Sequence, residues 1–336
     1  MKRYDNYSLL GHNTFGMDVR AALFVEYDTV EELRAFLQSG ELARHKQHIH
    51  IGCGSNLLFG GYYEGVVMHS AMRTLEVVEE TEHHILVRVG SGYIWDDFVA
   101  YCVEKGWWGV ENLSLIPGEV GASAVQNIGA YGVEVKDVLQ SIEAISVDDL
   151  SKRIFTNDEC NYGYRDSIFK KSLRGKYVIT YVTYRLSKTA NPNIGYGALK
   201  SVLSENPSLN EIRDAIIAVR NSKLPDPKVY GNAGSFFMNP VIPMEQFVEL
   251  QSRYPEIPSY PASEGYIKVP AGWLIEKSGW KGKSLGNAAV YEKQALVLIN
   301  RGGATGMEIK HLADTVIADV QKIFGITLHA EVNYIG

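Results

Sequence analysis

One serine stands in a segment whose composition suits a fixed proton donor. In the run Gly231–Pro240, Ser235 follows two glycines and precedes two phenylalanines. The phenylalanines would anchor this turn in a core, and the small residues would let a bulky ligand approach the backbone. No histidine and carboxylate that would activate Ser235 as a nucleophile are evident, which leaves proton donation as one interpretation. A helix-capping serine in a glycine turn is the other, and spacing alone favours it.

Two glycine-rich loops have the composition of a site for a phosphate-bearing cofactor. The first, 52–56, reads Gly-Cys-Gly-Ser-Asn and follows a short predicted strand, and the second spans 116–127. Successive backbone N–H groups in such turns form concave anion sites. The residues that we expect at the cofactor are Gly52, Gly54, Ser55, Asn56, Pro117, Gly118, Gly121, Ser123, Gln126, Asn127, Ala130 and Tyr131.

Neither loop matches a common nucleotide-binding signature. No G-x-G-x-x-G lies between a strand and a helix, and no Gly-Lys-Ser/Thr follows as in a Walker loop. Each loop alone is more typical of a tight structural turn. Two loops with hydrogen-bond donors and few charges favour a pyrophosphate held largely by backbone amides. A flavin dinucleotide and a nucleotide sugar both fit that description.

The composition is that of an ordinary globular protein. The chain has 336 residues, 46% of them hydrophobic and 21% charged, which is long enough for two or three domains. The net charge of −6 does not indicate binding to nucleic acid or to an anionic membrane surface. Cys53, Cys102 and Cys160 are too widely spaced for a disulfide framework or a zinc site. The first residues also lack a signal-peptide core, so we expect a cytoplasmic protein. We further expect a monomer without a metal.

Hydrophobic periodicity predicts a mixture of helices and strands without a strict βαβ rhythm, and hence an α+β fold. Strands are predicted at 22–27, 48–51, 66–69, 141–147, 177–186, 295–300 and 326–335, with a hairpin over 75–89. Helices are predicted after Thr29 and at 95–103, 211–221, 244–253, 271–278 and 307–324. Residues 107–132 read as a long irregular segment, which inside a compact domain is usually functional.

With these motifs the chain resembles the UDP-N-acetylenolpyruvoylglucosamine reductases, the flavoenzymes of peptidoglycan precursor synthesis. The resemblance runs from Asn13 to Val332. The segments that carry it are 116–118, 126–132, 164–167, 224–227 and 231–240. Several long motifs occur in the same order as in the family, which a chance match would not produce.

The resemblance implies an FAD-binding fold of the vanillyl-alcohol-oxidase (PCMH-like) type in two subdomains, with a smaller α+β substrate-binding domain. We expect these domains at 1–70, 71–224 and 225–325, with a last strand in 326–336 returning to the first. The proline-rich stop at 223–227 marks the second boundary. The segment 191–200 resembles the tyrosine loop of the family's longer subtype, which closes over the substrate diphosphate. Non-covalent FAD is expected.

The resemblance also implies two half-reactions. NADPH passes a hydride to FAD, and the reduced flavin reduces the enolpyruvyl ether of UDP-N-acetylglucosamine-enolpyruvate to the lactyl ether of UDP-N-acetylmuramate. It assigns the substrate carboxylate to Arg165, the proton to Ser235 and polarisation of the enolate to Glu331. The substrate-binding positions that match are Tyr196, Arg220, Lys223, Asn239 and Gln294.

Other interpretations remain at this point. Without the resemblance, Arg165 would read as part of a surface salt bridge and Glu331 as a solvated residue on an edge strand. Another FAD-dependent oxidase or dehydrogenase of the same fold is one alternative function. A non-catalytic relative that binds a nucleotide sugar is a second, although it should have lost one of the three catalytic residues. A thiol enzyme built on Cys53 lacks an evident histidine–carboxylate pair.

Overall fold

The computed structural model describes residues 1–195 and 197–336, with the backbone alone at 197 and 198. Contacts divide the described residues into two units. Unit 1 is formed by Met1–Tyr7, Ala21–Cys53 and Glu64–Ser222, and unit 2 by Ser8–Arg20, Gly54–Tyr63 and Lys223–Gly336. Each unit therefore combines segments that are distant in the sequence. The division into three domains stays a prediction.

Two sheets frame unit 1. The four-stranded sheet has the spatial order Lys2–Ser8, Arg20–Tyr27, Tyr63–Ser70 and His48–Ile51. The five-stranded sheet is antiparallel and has the order Lys152–Thr156, Leu139–Ser146, Tyr177–Ser187, His84–Gly90 and Leu75–Glu80. A short hairpin pairs Gly129–Ala130 with Val133–Glu134. The hairpin predicted over 75–89 is confirmed, and its second strand buries Ile85, Val87 and Val89 on one face.

Local sequence explains the first helix of unit 1. Thr29 precedes Val30–Gln38, and its side chain accepts a hydrogen bond from the Glu32 N–H. The buried residues Leu33, Phe36 and Leu37 share one face, as predicted. The other helices of this part of the chain are Trp95–Glu104, Val120–Gln126, Gly197–Lys200 and Leu209–Lys223. Short 3-10 helices lie at Leu42–Arg44, Glu111–Leu113, Val135–Asp137, Asp158–Cys160 and Ile168–Lys170.

Unit 2 is built on a separate core. Its four-stranded antiparallel sheet has the order Gly231–Ser235, Val297–Asn300, Ala288–Val290 and Ser284–Leu285. A three-stranded sheet has the order Val241–Pro243, Tyr266–Lys268 and Tyr260–Pro261, and Leu57–Phe59 pairs in parallel with Asn333–Ile335. Its helices are Met244–Arg253, Ala271–Lys277 and Gly306–Phe324, with a 3-10 helix at Leu10–His12.

The longest helix of unit 2 carries both of its end signals in the sequence. Thr305 and Glu308 form a capping box at its start, and Gly325 in the left-handed region ends it. Its buried face includes Leu312 and Val316, which join the core around Phe236. Strands and helices alternate irregularly in both units, and the α+β class is confirmed.

Three sequence-based predictions were wrong. Residues 107–132 are not irregular throughout, because Val120–Gln126 is a helix whose small residue Gly121 packs directly against Ser91. The predicted strand 326–335 is confined to Asn333–Ile335, since the residues before it make only isolated backbone bonds to 236–238. The predicted turn around Ser235 is the end of a strand.

Candidate active site

A bulged strand positions Ser235. Within Gly231–Ser235 the register slips between Asn232 and Ser235, and Gly234 takes the left-handed φ of 67° that this bulge requires. Ser235 then pairs with Val297 of the central strand. The two residues that follow, Phe236 and Phe237, are each only 1% exposed. The Ser235 hydroxyl therefore lies at the end of a strand that is paired with Val297 and followed by two buried residues.

Glu331 lies beside this strand end. Its N–H donates to the Phe236 carbonyl at 2.8 Å, and its own carbonyl accepts from Asn56 Nδ2 at 3.2 Å. Met238 N–H donates to the His329 carbonyl at 2.9 Å. Glu331 is half-buried rather than solvated, in contrast to the alternative drawn from the sequence. Unit 2 thus brings Ser235 and Glu331 onto neighbouring segments, together with the predicted cofactor residue Asn56.

Asn239 and Gln294 both lie beside the start of the helix Ala271–Lys277. Asn239 Oδ1 accepts a hydrogen bond from the Ala271 N–H at 2.9 Å. Gln294 Oε1 lies 3.2 Å from the position of a Cβ built on Gly272. Gln294 Oε1 also accepts from the Leu296 N–H, while the Leu296 carbonyl accepts from Phe236. These predicted substrate-binding residues are therefore close in space to the Ser235 strand.

In unit 1, Arg165 is anchored on the second glycine-rich segment. Its Nη2 donates to the Gly129 carbonyl at 2.5 Å, and its Nη1 lies 3.5 Å from the Asn127 carbonyl. Arg165, Asn127 and Tyr131 all have left-handed φ values, of 55°, 47° and 49°. Non-glycine residues rarely adopt this conformation, and where they cluster the surroundings impose it, often at functional sites. Its guanidinium is thus held by backbone carbonyls in a preorganised segment.

The side chain of Lys170 links Arg165 to Gln126, a predicted cofactor residue. Lys170 Nζ donates to the Arg165 carbonyl at 2.8 Å and to Gln126 Oε1 at 2.9 Å. Asn127 is fully buried, and its Nδ2 donates to the Gly163 carbonyl at 2.8 Å. The segments 126–131 and 163–170 are therefore held as one hydrogen-bonded assembly. Both segments carry motifs that resemble the family's, but no local pattern indicates that they touch.

The two glycine loops lie against each other within unit 1. A Cβ built on Gly52 would stand 3.1 Å from Glu119 Oε2 and 3.4 Å from Ala122 Cβ. The chain itself uses two backbone donors of the second loop, because the Val120 and Gly121 N–H groups donate to the Tyr93 and Ser91 carbonyls. Those two amides are therefore already bonded within the chain, and the proximity of the two loops fits the predicted cofactor.

Several predicted cofactor residues have internal roles. The Ser123 hydroxyl is buried and donates to the Val120 carbonyl at 2.7 Å. A Cβ on Gly121 would lie 2.8 Å from Ser91 Cβ, and one on Gly54 would lie 2.0 Å from the His12 carbonyl oxygen. These two glycines are required by the close approach of another chain segment. Their contact with a cofactor stays a prediction.

Arg220 has the features of an anion-binding residue. Burial lowers the pKa of its guanidinium, which the Tyr131 phenol and the Asp96 carboxylate partly counteract. Among the described residues, its buried Nε has no hydrogen-bond partner. An unpaired buried donor is costly unless a ligand or water satisfies it. Lys223, the last residue of the same helix, is exposed, and Tyr196 lies outside the described residues.

Asp96 and Asn112 were not predicted. Asp96 accepts two bonds from Arg213, at 2.7 and 2.9 Å, and one from the Leu115 N–H at 2.5 Å. Asn112 Nδ2 donates to the carbonyls of Tyr131, at 2.9 Å, and Asn193, at 2.8 Å. Both residues hold the loops that carry predicted site residues. Their partners are far away in the sequence, so no local pattern could have indicated them.

Within residues 1–195 and 197–336, no group of three or more His, Cys, Asp or Glu side chains is arranged to hold a metal ion. No helix in this part of the chain is long and apolar enough to cross a membrane.

The fold and these loops define an FAD-binding protein. A family model described as an FAD binding domain matches residues 21–149, and a second, described as the C-terminal domain of UDP-N-acetylenolpyruvoylglucosamine reductase, matches residues 226–335. The solved structure of such a reductase from Thermus caldophilus superposes with a TM-score of 0.69 at 21% identity. It covers 100% of this chain and 98% of its own, which shows a shared fold.

Curated relatives extend the match to the sequence. The chain is 54% identical to UDP-N-acetylenolpyruvoylglucosamine reductase of Bacteroides fragilis strain YCH46, over 98% of this chain and 99% of that protein. The reductase of Porphyromonas gingivalis is 49% identical, over 98% of both chains, and that of Flavobacterium johnsoniae is 42% identical, over the full length of both. This chain belongs to the UDP-N-acetylenolpyruvoylglucosamine reductase family.

Proposed function

We propose that this protein reduces the enolpyruvyl ether of UDP-N-acetylglucosamine-enolpyruvate to UDP-N-acetylmuramate, a precursor of peptidoglycan. It is an FAD-containing oxidoreductase that acts on a C=C bond, with NADPH as hydride donor. Full-length identity of 54% to a reductase of this name carries the assignment. The presence of Arg165, Ser235 and Glu331 at the positions that the family's chemistry needs argues against a non-catalytic relative.

The residues of this chain fit FAD. Gly52 lies against Glu119 and Ala122, so the two predicted cofactor loops are adjacent, and the donors that they carry are amides and hydroxyls rather than charges. Gln126 and Asn127 belong to the assembly that also anchors Arg165. When bound, FAD would take a hydride from NADPH and supply it to the substrate. We propose that residues of 52–56 and 117–131 hold it without a covalent bond.

Arg165 would stabilise the charge that develops on the substrate. Reduction of the enolpyruvyl group at its vinyl terminus leaves negative charge on the adjacent carbon and on the carboxylate. A guanidinium has five N–H donors in a planar fork that matches a carboxylate. One donor nitrogen of Arg165 is committed to the Gly129 carbonyl, which fixes the orientation of the fork. A donor that is already oriented stabilises developing charge without reorganisation.

Ser235 would protonate the carbon that receives this charge. A serine hydroxyl is a weak acid, so it can serve only against a strongly basic carbon and with its own proton replaced. The requirement is precise placement, and the strand end between Val297 and the buried Phe236 supplies it. Glu331, whose N–H binds the neighbouring carbonyl, would polarise the enolate carboxylate.

The substrate's other groups require cations and amides. Arg220, with its buried and unpaired Nε, is suited to an oxygen of the diphosphate. Lys223, Asn239, Gln294 and the tyrosine of the longer subtype, Tyr196, are proposed as the further substrate contacts. Asn239 and Gln294 already lie together at the start of one helix.

A half-reaction experiment tests the role of Ser235. In Ser235→Ala, bleaching of the flavin by NADPH should proceed at the normal rate under anaerobic stopped-flow conditions. Recovery of flavin absorbance on adding the enolpyruvyl substrate should be slower by about a hundredfold to ten-thousandfold, the usual contribution of a general acid. Ser252→Ala, an exposed serine of the same unit, is the matched control. Equal loss in both half-reactions would refute the proton-donor role.

The same apparatus separates the proposed reductase from a flavin oxidase of the same fold. The reductase should regain its oxidised flavin spectrum from the enolpyruvyl substrate in the absence of oxygen. An oxidase should regain it from oxygen and ignore that substrate. A purified protein with no affinity for FAD would exclude both functions.

We further propose a cytoplasmic monomer with the domain boundaries predicted above. The small-molecule substrates, a nucleoside diphosphate sugar and NADPH, support this location. Light scattering after size-exclusion chromatography should give a mass near the 37.4 kDa of one chain. A mass of twice that value, or recovery of the protein outside the cytoplasmic fraction, would contradict the proposal.

A further inference from the structure

A buried histidine links two carboxylates below the glycine loops. His69, on the strand Tyr63–Ser70, has Nδ1 3.0 Å from Glu26 Oε2 and Nε2 3.0 Å from Glu119 Oε1. Its side chain is 6% exposed and that of Glu119 is 4% exposed. The Phe24 ring stacks on the imidazole with centroids 6.2 Å apart. None of these residues belongs to the predicted catalytic or cofactor set.

The arrangement favours a charged imidazole. A neutral histidine has one N–H and can donate to only one of the two carboxylates, whereas an imidazolium donates to both. Burial lowers the pKa of His69, but the hydrogen bonds and charges of Glu119 and Glu26 outweigh burial, and the pKa is raised above 6.5. The two carboxylates therefore favour the charged form of His69.

The other titratable groups around His69 leave it as the main cation for Glu119. Lys2 Nζ binds Glu26 at 2.6 Å, so Glu26 has a second cationic partner. On the adjacent strand, burial lowers the pKa of His50 to about 3, which makes it neutral, and it contacts the buried Tyr27 hydroxyl at 2.7 Å. Burial raises the pKa of Tyr27, so its phenol also stays neutral.

Glu119 connects this histidine to both cofactor loops. Its carboxylate lies directly beside Gly52 of the first loop, 3.1 Å from the position of a Cβ there. Its backbone carbonyl accepts the Ser123 N–H at 2.9 Å, in the first turn of the helix Val120–Gln126. Displacement of the Glu119 side chain would consequently move the start of that helix and the Gly52 turn together.

We infer that His69 is a positioning residue that, as a cation held between Glu26 and Glu119, fixes the relative placement of the two cofactor loops and thereby the affinity for FAD. The inference rests on FAD being the cofactor of the proposed function. Loss of the proton leaves one N–H for two carboxylates, so one of the two hydrogen bonds is lost and the enclosed Glu119 carboxylate has no cation beside it. Affinity for FAD should then fall as the pH rises through the pKa of His69.

The test measures FAD binding to the apoprotein by quenching of flavin fluorescence, from about pH 6 to about pH 9, on either side of the ordinary histidine range. The wild-type Kd should rise about tenfold over this range, as for the loss of one hydrogen bond to a charged group. His69→Gln, which is uncharged at every pH, should bind about tenfold more weakly at pH 6 and show no pH dependence. His50→Gln, at a half-buried histidine on the neighbouring strand, is the matched control and should keep the wild-type profile.

Glu26→Gln provides an independent variant, because it keeps the histidine but removes one of its anions. The pKa of His69 should fall, and the midpoint of the FAD affinity profile should move to lower pH. An NMR titration of the His69 ring in the FAD-free protein should show the same shift. If His69→Gln kept the wild-type Kd and pH profile, or if Glu26→Gln left the midpoint unchanged, the inference would be overturned. A wild-type protein that binds no FAD at any pH would instead refute the proposed cofactor.

Discussion

At the scale of single residues, the predicted catalytic arginine is held in a costly conformation. A left-handed backbone costs a non-glycine residue about 1–3 kcal/mol, and Arg165 has a φ of 55°. Its side chain and its own carbonyl are both tied, to Gly129 and to Lys170. The cost is offset by these contacts, and the result is a guanidinium whose direction is set before a ligand arrives.

Lysine should not replace this arginine. In Arg165→Lys a single ammonium must serve both the Gly129 carbonyl and the substrate carboxylate, and it has no planar fork. We expect kcat to fall about a hundredfold, as for loss of one preorganised donor, with a smaller change in KM. Flavin reduction by NADPH should be unaffected in stopped-flow measurements. Arg174→Lys, at an exposed position of the same unit, serves as the control. Equal activity of both variants would contradict a role for Arg165 in the reaction.

At the scale of elements, the strand Gly231–Ser235 contains two glycines for different physical reasons. A Cβ on Gly231 would stand 2.0 Å from the Phe15 carbonyl oxygen, so no other residue fits beside that backbone. Gly234 has no atom within 4 Å of its Cβ position, but its φ is 67°. One glycine thus serves packing and the other serves the bulge that aims Ser235.

The two glycines should respond differently to substitution. Gly231→Ala should lower the free energy of unfolding by about 3 kcal/mol, because the clash is with backbone that cannot yield. Gly234→Ala should cost about 1 kcal/mol, and Gly234→Asn less, since asparagine tolerates the left-handed region. Urea denaturation of the FAD-free protein measures all three. Gly61→Ala, with open space and no positive φ, is the control. A larger loss for Gly234→Ala than for Gly231→Ala would contradict this account.

At the scale of the whole molecule, half-buried carboxylates make the free energy of unfolding depend on pH. Burial raises the pKa of Glu143, but Arg88 and Lys152 outweigh it and the pKa is lowered overall. The pKa of Asp96 is lowered in the same way, with Arg213 and the Leu115 N–H outweighing burial. A carboxylate whose pKa is lower in the folded state binds its proton at a higher pH in the unfolded chain than in the folded one. These groups therefore contribute stability above their unfolded values of 4.5 and 3.8, and that stability is lost as the pH falls further.

Removing one of these carboxylates should reduce the loss of stability at acid pH. In Glu143→Gln the urea midpoint should be lower than in the wild type at pH 7. The gap should then narrow as the pH falls below 4.5, because the wild type loses its ion pairs there. Glu104→Gln, at an exposed position, is the control and should follow the wild type. A gap between wild type and Glu143→Gln that is constant with pH would show that packing, not ionisation, explains the loss.

Local patterns predicted the elements that local forces determine. The cap at Thr29, the hairpin over 75–89 and the helix Met244–Arg253 are confirmed, because capping and periodicity act over a few residues. The helix Val120–Gln126 was missed because it is only seven residues long and its glycine, serine and two valines have weak helix propensity. It forms because its first turn is bonded to Ser91 and Tyr93, which are distant in the sequence.

The sequence by itself determined the α+β class, through hydrophobic periodicity, and the family with its FAD cofactor, through contiguous motifs. The same motifs carry the three residues proposed for catalysis. Only the tertiary structure decided why Gly54 and Gly231 must be glycine, through carbonyl groups of distant segments. It alone placed His69 between carboxylates 43 and 50 residues away. Such contacts depend on how remote segments meet, and a buried charge or a bare backbone leaves no periodic signature from which they could be predicted.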